Sequence, residues 1–217
     1  MAGASKERRR IKEIFDRFAA RTADPRTELG YSSPFTLLVS VVLSAQATDV
    51  SVNLATAILF KTAGTPQAIV DLGEAGLIPY IARIGLFRTK ARNVVALSRI
   101  LLNQYGGEVP LERQALQTLP GVGRKTASVV LNELGAEAAI AVDTHVFRVA
   151  HRLGLSMART PEQVEADLMR VVPPERRSRA HHWLILHGRY VCLARRPKCG
   201  DCVVSDLCPS RELFLGL

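Results

Sequence analysis

Apolar residues recur along the chain at helical spacing, in segments broken by glycine, proline and small polar residues. Residues 35–43 (FTLLVSVVL) form the densest run, apolar on almost every side. Ser33-Pro34 before it reads as a helix N-cap followed by proline at the first helical position. The valines would suit a strand as well, but no Asn-Gly or Asp-Gly hairpin signal flanks them, so the run is read as a buried central helix. Short helices separated by Gly/Pro turns are expected at 49–60, 66–72, 90–105 and 112–116. Further ones are expected at 125–134, 144–153, 161–171 and 177–190. Asp143 and Thr160 are the expected N-caps in this second half, and Gly135 and Gly154 the expected stops. The chain is predicted to be all-α.

With 47% apolar and 23% charged residues the chain has the composition of a globular protein with a real core. A net charge of +9 adds a polyanionic partner to the picture. The excess is uneven: residues 176–199 carry seven Lys/Arg and three histidines with no carboxylate, which favours phosphate contact. The first ten residues are charged without an apolar stretch of the secretory kind behind them. The longest apolar run, 34–45, is too short to span a bilayer and contains serines and a threonine. A cytoplasmic protein without a membrane partner and without disulfides is expected.

All four cysteines fall within 17 residues, Cys192, Cys199, Cys202 and Cys208, spaced C-x6-C-x2-C-x5-C. Such crowding in a reducing compartment points to a metal rather than to scattered core thiols. Zinc and a 4Fe–4S cluster both accept four thiolates, and the residues alone leave the two open. Either would make a rigid loop from which Arg195, Arg196 and Lys198 project.

Residues 119–127, LPGVGRKTA, open a helix with two glycines. Gly121 and Gly123 are expected to take φ > 0 and to let the backbone approach a ligand. The amides around Gly121, Val122, Gly123 and Arg124 then converge at a helix N-terminus, an anion site suited to a DNA phosphate. Lys125 follows in the first turn, one of only six lysines among 29 basic residues. Arginine cannot lose its proton in a protein, whereas a neutral lysine attacks carbon and forms a Schiff base. Nucleophile and phosphate contact are equal readings of Lys125 at this point. Asp143, in AVDTH, could cap its helix only, or also stabilise a developing positive charge.

Taken in order, these features resemble bacterial endonuclease III, the helix–hairpin–helix DNA glycosylase with an iron–sulfur cluster. The resemblance runs through LSAQATD at 43–49, the 119–127 hairpin, VDTHVFR at 142–148, the 181–190 stretch and the cysteine spacing, and so covers nearly the whole chain. It implies the helix–hairpin–helix DNA glycosylase fold, two helical domains with a DNA-binding groove between them. Residues 27–137 would form a six-helix domain carrying the hairpin; 1–26 with 138–217 would form the cluster domain, its loop at 192–208. It favours 4Fe–4S over zinc, ligated by the four cysteines.

The activity implied is that of a bifunctional glycosylase/AP lyase of base excision repair. It would remove oxidised or ring-saturated pyrimidines such as thymine glycol from duplex DNA and cleave the strand by β-elimination. By the resemblance Lys125 attacks C1′ of the sugar and Asp143 stabilises the cationic sugar. Gln46 and Leu86 fill the gap left by the flipped nucleotide, and His145 lines the pocket. Damaged double-stranded DNA is the expected partner of a monomer. One departure stands out: the loop Leu86-Phe87-Arg88-Thr89 is bulkier and more basic than the family pattern, which adds Arg88 to the expected DNA contacts. Adenine and thymine mismatch glycosylases of similar architecture lack lysine at the position of Lys125. A non-catalytic DNA-binding module would need neither Lys125 nor Asp143.

Overall fold

The computed structural model describes residues 2–215, and among these every regular element is helical. In chain order they are α1 (Ala2–Arg21), α2 (Pro34–Ser44), α3 (Asp49–Thr62), α4 (Pro66–Ile81), α5 (Phe87–Tyr105), α6 (Arg113–Gln117), α7 (Arg124–Glu133), α8 (Thr144–Arg152), α9 (Pro161–Val171), α10 (Arg177–Tyr190) and α11 (Glu212–Leu215). Short 3₁₀ turns occupy Pro174–Arg176, Cys199–Asp201 and Ser205–Leu207. The chain divides into two compact units, Glu28–Glu137 and Met1–Thr27 with Ala138–Leu217. No helix among the described residues is long and apolar enough to cross a membrane.

In the unit 28–137 the core is built around α2, whose residues Phe35 through Leu43 are all buried. Its start follows the residues before it. The Ser33 hydroxyl accepts from the Thr36 amide at 3.2 Å, and the Thr36 hydroxyl accepts from the Ser33 amide at 2.8 Å, a closed capping box before Pro34. Leu37, Leu38 and Leu43 have no exposed surface. Each such side chain contributes about 1.5–3 kcal/mol relative to exposure. Helices α3, α5 and α7 pack on this central helix. The helix expected to end at 72 does break there: Gly73 takes φ 66°, ψ 176°, and a second helical stretch follows within α4.

The other unit is organised by α1, which the sequence reading did not delineate. Residues 6–10 are all charged, but Ile11, Ile14, Phe15 and Phe18 form a buried stripe at helical spacing. Phe15 meets Trp183 of α10 with ring centroids 6.3 Å apart. The one-sided basic stretch 176–199 also changes meaning. Arg176 pairs with Asp16 at 2.9 Å, Arg179 lies 3.6 Å from Asp24, and Arg177 Nε donates to the Val172 carbonyl at 3.2 Å. These three arginines brace α10 within its own unit.

Candidate active site

The hairpin is α6, the turn 118–123 and α7. Val122 is buried and its amide donates to the Leu119 carbonyl at 3.0 Å, which pins the turn to the core. Gly121 has φ 81°, and a Cβ there would stand 3.0 Å from Asn93 Nδ2 and 3.2 Å from Val42 Cγ1. Conformation and crowding both demand glycine at this position. Gly123 departs from expectation. It is the N-cap of α7 with φ −85°, ψ 179°, extended backbone that any residue adopts. A Cβ at 123 would meet nothing within 4 Å, so glycine here keeps the space above the helix N-terminus open.

Gly123 has no side chain with which to cap α7. Arg124 and Lys125 are exposed in that turn, while Ala127, Ser128, Val130 and Leu131 bury the opposite face. Arg113 at the start of α6 donates to the Ser128 hydroxyl at 2.8 Å and to Glu137 at 2.7 and 3.2 Å. The turn carrying Lys125 is thus held between two clasped helices.

Two further loops of this unit carry candidates. Gln46 follows α2 with φ 54°, and Leu86, the N-cap of α5, has φ 60° and is 59% exposed. Gly85 backs onto the Gln46 carbonyl oxygen, 3.6 Å from where a Cβ would stand, so the two loops adjoin. Among the described residues only Gln46, Leu86 and Arg196 combine a side chain with positive φ. Each costs about 1–3 kcal/mol of backbone strain, which points to function at these three positions. Arg88 is exposed, its guanidinium 4.9 Å above the Phe87 ring.

In the second unit Asp143 is the N-cap of α8, and its Oδ1 accepts from the amides of His145 at 2.9 Å and Val146 at 2.8 Å. The carboxylate is therefore oriented by the helix start that it caps. His145 is half-buried, and Arg148 donates to its Nδ1 at 3.2 Å. That contact fixes one edge of the imidazole against α8.

All four cysteines are free thiols and line one cavity with Arg152, His187, Lys198, Arg211 and Phe214. Burial pushes the Cys202 and Cys208 thiols above the usual range, so anions there require a positive centre among them. Four sulfurs around a common cavity fit a thiolate-ligated cluster. The frame around them escaped sequence reasoning. Arg152 donates to Cys192 Sγ at 3.4 Å and to the carbonyls of Leu193 at 2.6 Å and Ala194 at 3.0 Å. Arg148 donates to the Cys192 carbonyl at 3.1 Å. From α1, Arg10 donates to the Leu207 carbonyl at 2.7 Å and Arg17 to that of Val203 at 3.1 Å. Each of these arginines is an ordinary helix residue locally, and only the fold supplies the carbonyl that it holds. Arg195, Arg196 and Lys198 are all exposed within the loop so framed.

Comparison with known proteins agrees with this arrangement. The profile of the HhH-GPD superfamily base excision DNA repair proteins matches residues 39–174, and that of the iron–sulfur binding domain of endonuclease III matches residues 192–208. Endonuclease III of Escherichia coli (strain K12) is 54% identical over 200 residues, covering 92% of this chain and 95% of that protein. Endonuclease III of Treponema pallidum (strain Nichols) is 53% identical over 198 residues, covering 91% and 94%. Among solved structures, a non-covalent endonuclease III–DNA complex superposes with a TM-score of 0.90 at 42% identity, covering 97% of this chain and 99% of that one. A trapped endonuclease III–DNA covalent intermediate, an estranged-adenine complex, gives 0.89 at 42% identity, covering 96% and 98%. The chain carries a 4Fe–4S cluster. With profile, relatives and fold in agreement, the chain belongs to the endonuclease III family of base excision DNA repair enzymes.

Proposed function

We propose that this DNA glycosylase and AP lyase removes oxidised or ring-saturated pyrimidines of the thymine glycol type from duplex DNA, with Lys125 as its nucleophile. The observation that carries this reading is the exposed lysine in the first turn of a helix whose glycine N-cap leaves the approach open.

A base inside a duplex is out of reach, so the damaged nucleotide is flipped out at an energetic cost. Gln46 and Leu86 fill the vacated step, an apolar and an amide side chain presented by adjoining loops. The hairpin amides around Gly121, Val122, Gly123 and Arg124 hold a backbone phosphate. Arg88, Arg195, Arg196 and Lys198 add phosphate contacts. The Lys125 amine then forms a C–N bond at C1′ as the glycosidic bond breaks, and the base leaves with that electron pair and takes up a proton. Opening of the sugar ring yields the imine. The imine acidifies the C2′ proton; its removal drives out the 3′ phosphate, and water later frees the lysine. Asp143 stabilises the positive charge that develops on the sugar and assists proton transfer. His145 acts through the geometry of α8.

Cys192, Cys199, Cys202 and Cys208 hold the cluster, which when bound ties the 192–208 loop into one rigid body. Cys202→Ser is expected to lose the visible absorbance of the cluster and to open residues 192–208 to limited proteolysis. Full iron content with an uncut loop would contradict the ligand assignment. The chain works as a monomer, on DNA in the bacterial cytoplasm.

The substrate class is tested on a panel of duplexes carrying thymine glycol, 8-oxoguanine opposite adenine, or a G·T mispair. Release of thymine glycol with an unsaturated aldehyde at the cut 3′ end is expected. Release of adenine or thymine without strand cleavage would replace the reading by a monofunctional mismatch glycosylase.

A further inference from the structure

Lys90 is a buried ammonium that the chemistry above does not use. It lies in the first turn of α5 with 4% of its surface exposed. Its Nζ donates to the Leu43 carbonyl at 2.8 Å, and its backbone amide donates to the Leu86 carbonyl at 3.0 Å. Leu43 is in the last turn of α2, three residues before Gln46, and Leu86 is the N-cap of α5. The amide bond is the ordinary one of a helix start; the side-chain bond is the one that ties the end of α2, just ahead of Gln46, to the first turn of α5, which Leu86 caps.

A cation suits the place electrostatically. The last carbonyls of α2 lack helical partners and form the negative end of its dipole. Neighbouring acceptors there are served locally: the Val41 carbonyl takes the Ser44 hydroxyl at 2.8 Å and the Ser44 carbonyl takes the Ala47 amide at 3.0 Å. Leu43 is reached from α5. Burial nonetheless holds the Lys90 amine below the ordinary lysine range, the mark of a charge kept in an unfavourable medium. An aliphatic side chain would fill the same space without that penalty, but it could not bond α2 to α5.

Both loops that meet at Lys90 carry a side chain with positive φ, Gln46 at 54° and Leu86 at 60°. Such conformations persist only where the surroundings impose them. The geometry points to Lys90 as the positioning residue that sets the Gln46 and Leu86 loops in register, so that both side chains enter the opened base step together. This rests on the reading of Gln46 and Leu86 as the residues that fill the stack.

Lys90→Met keeps the aliphatic stem and removes the donor. The full-length, cluster-loaded variant is compared with wild type on two substrates: an abasic site in fully paired duplex with 2-aminopurine opposite, and the same site in single-stranded DNA. On single strand, where no stack has to be filled, borohydride-trapped adduct is expected within about twofold of wild type. On duplex, kcat/KM is expected to fall by about tenfold or more, and the 2-aminopurine fluorescence change on binding to shrink. In a double-mutant cycle Gln46→Ala lowers duplex activity in wild type and adds little in the Lys90→Met background. Where Lys90→Met melts early, Lys90→Leu, which also lacks the donor, replaces it with the same expectations.

Equal losses on duplex and single strand would reduce Lys90 to a stabilising residue and overturn the proposal. So would unchanged duplex activity alongside impaired Gln46→Ala and Leu86→Ala variants. If Gln46→Ala and Leu86→Ala themselves leave duplex activity intact, the stack-filling reading fails, and the role of Lys90 with it.

Discussion

Lys125→Arg is expected to bind damaged duplex as wild type does, with the same salt dependence, and to cleave none of it. The substitution separates the two roles that the residue type alone leaves equal. Arginine keeps the positive charge and donates to phosphate at least as well as lysine, but it is not deprotonated and cannot form the imine. Loss of a covalent route commonly removes several orders of magnitude of rate, so strand cleavage should fall by roughly 10³-fold or more. The affinity side has a structural basis. Lys125 is exposed and points its change away from the buried face of α7, where Ala127, Val130 and Leu131 pack. Thermal stability and cluster absorbance should therefore be unchanged. An arginine variant that still cuts thymine glycol duplex at a substantial rate would make Lys125 a phosphate contact and leave the nucleophile elsewhere.

Asp143→Asn is expected to fold normally and to turn over roughly 10²–10⁴-fold more slowly. Asparagine is as good an N-cap as aspartate, so the amides of His145 and Val146, now bonded to Oδ1 at 2.9 and 2.8 Å, keep an acceptor. What it removes is the negative charge that the proposal assigns to stabilising the cationic sugar. Asp143→Ala should lose both, with a cap penalty of about 1 kcal/mol measured by denaturant unfolding. Equal activity of the aspartate and asparagine forms would confine Asp143 to capping α8.

Much of the helical framework could be read from local pattern because local physics decides it. The run 35–43 with Ser33-Pro34 before it, the Thr160 cap and the break at Gly73 depend on residues within one or two turns. The helix α1 was hidden by its charged first half, although its buried stripe at residues 11, 14, 15 and 18 is plain once a partner surface exists. At the hairpin, two glycines so close together suggest two positive φ angles; the structure gives positive φ and close neighbours to Gly121 and extended backbone with open space to Gly123.

The charge pattern was incomplete for a related reason. Arg176 and Arg179 look unopposed in sequence because Asp16 and Asp24, which meet them, belong to the N-terminal segment. Residues whose work is to hold something distant left no local signal at all. Arg148 and Arg152 reach the cluster loop from α8, and Lys90 reaches the end of α2 from α5. The residues proposed to meet DNA were more visible, since Lys125 is a rare lysine in an arginine-rich chain and Leu86 is apolar on an exposed loop.

The nucleophile itself is tested by trapping and mapping. Cluster-loaded wild type is incubated with a thymine glycol duplex in the presence of borohydride, and the cross-linked protein is digested and sequenced by mass spectrometry. A single DNA adduct on the peptide containing Lys125, absent from Lys125→Arg, is the expected result. No adduct, or an adduct on the N-terminal amine or another lysine, would contradict the assignment of Lys125 as the residue that opens the sugar.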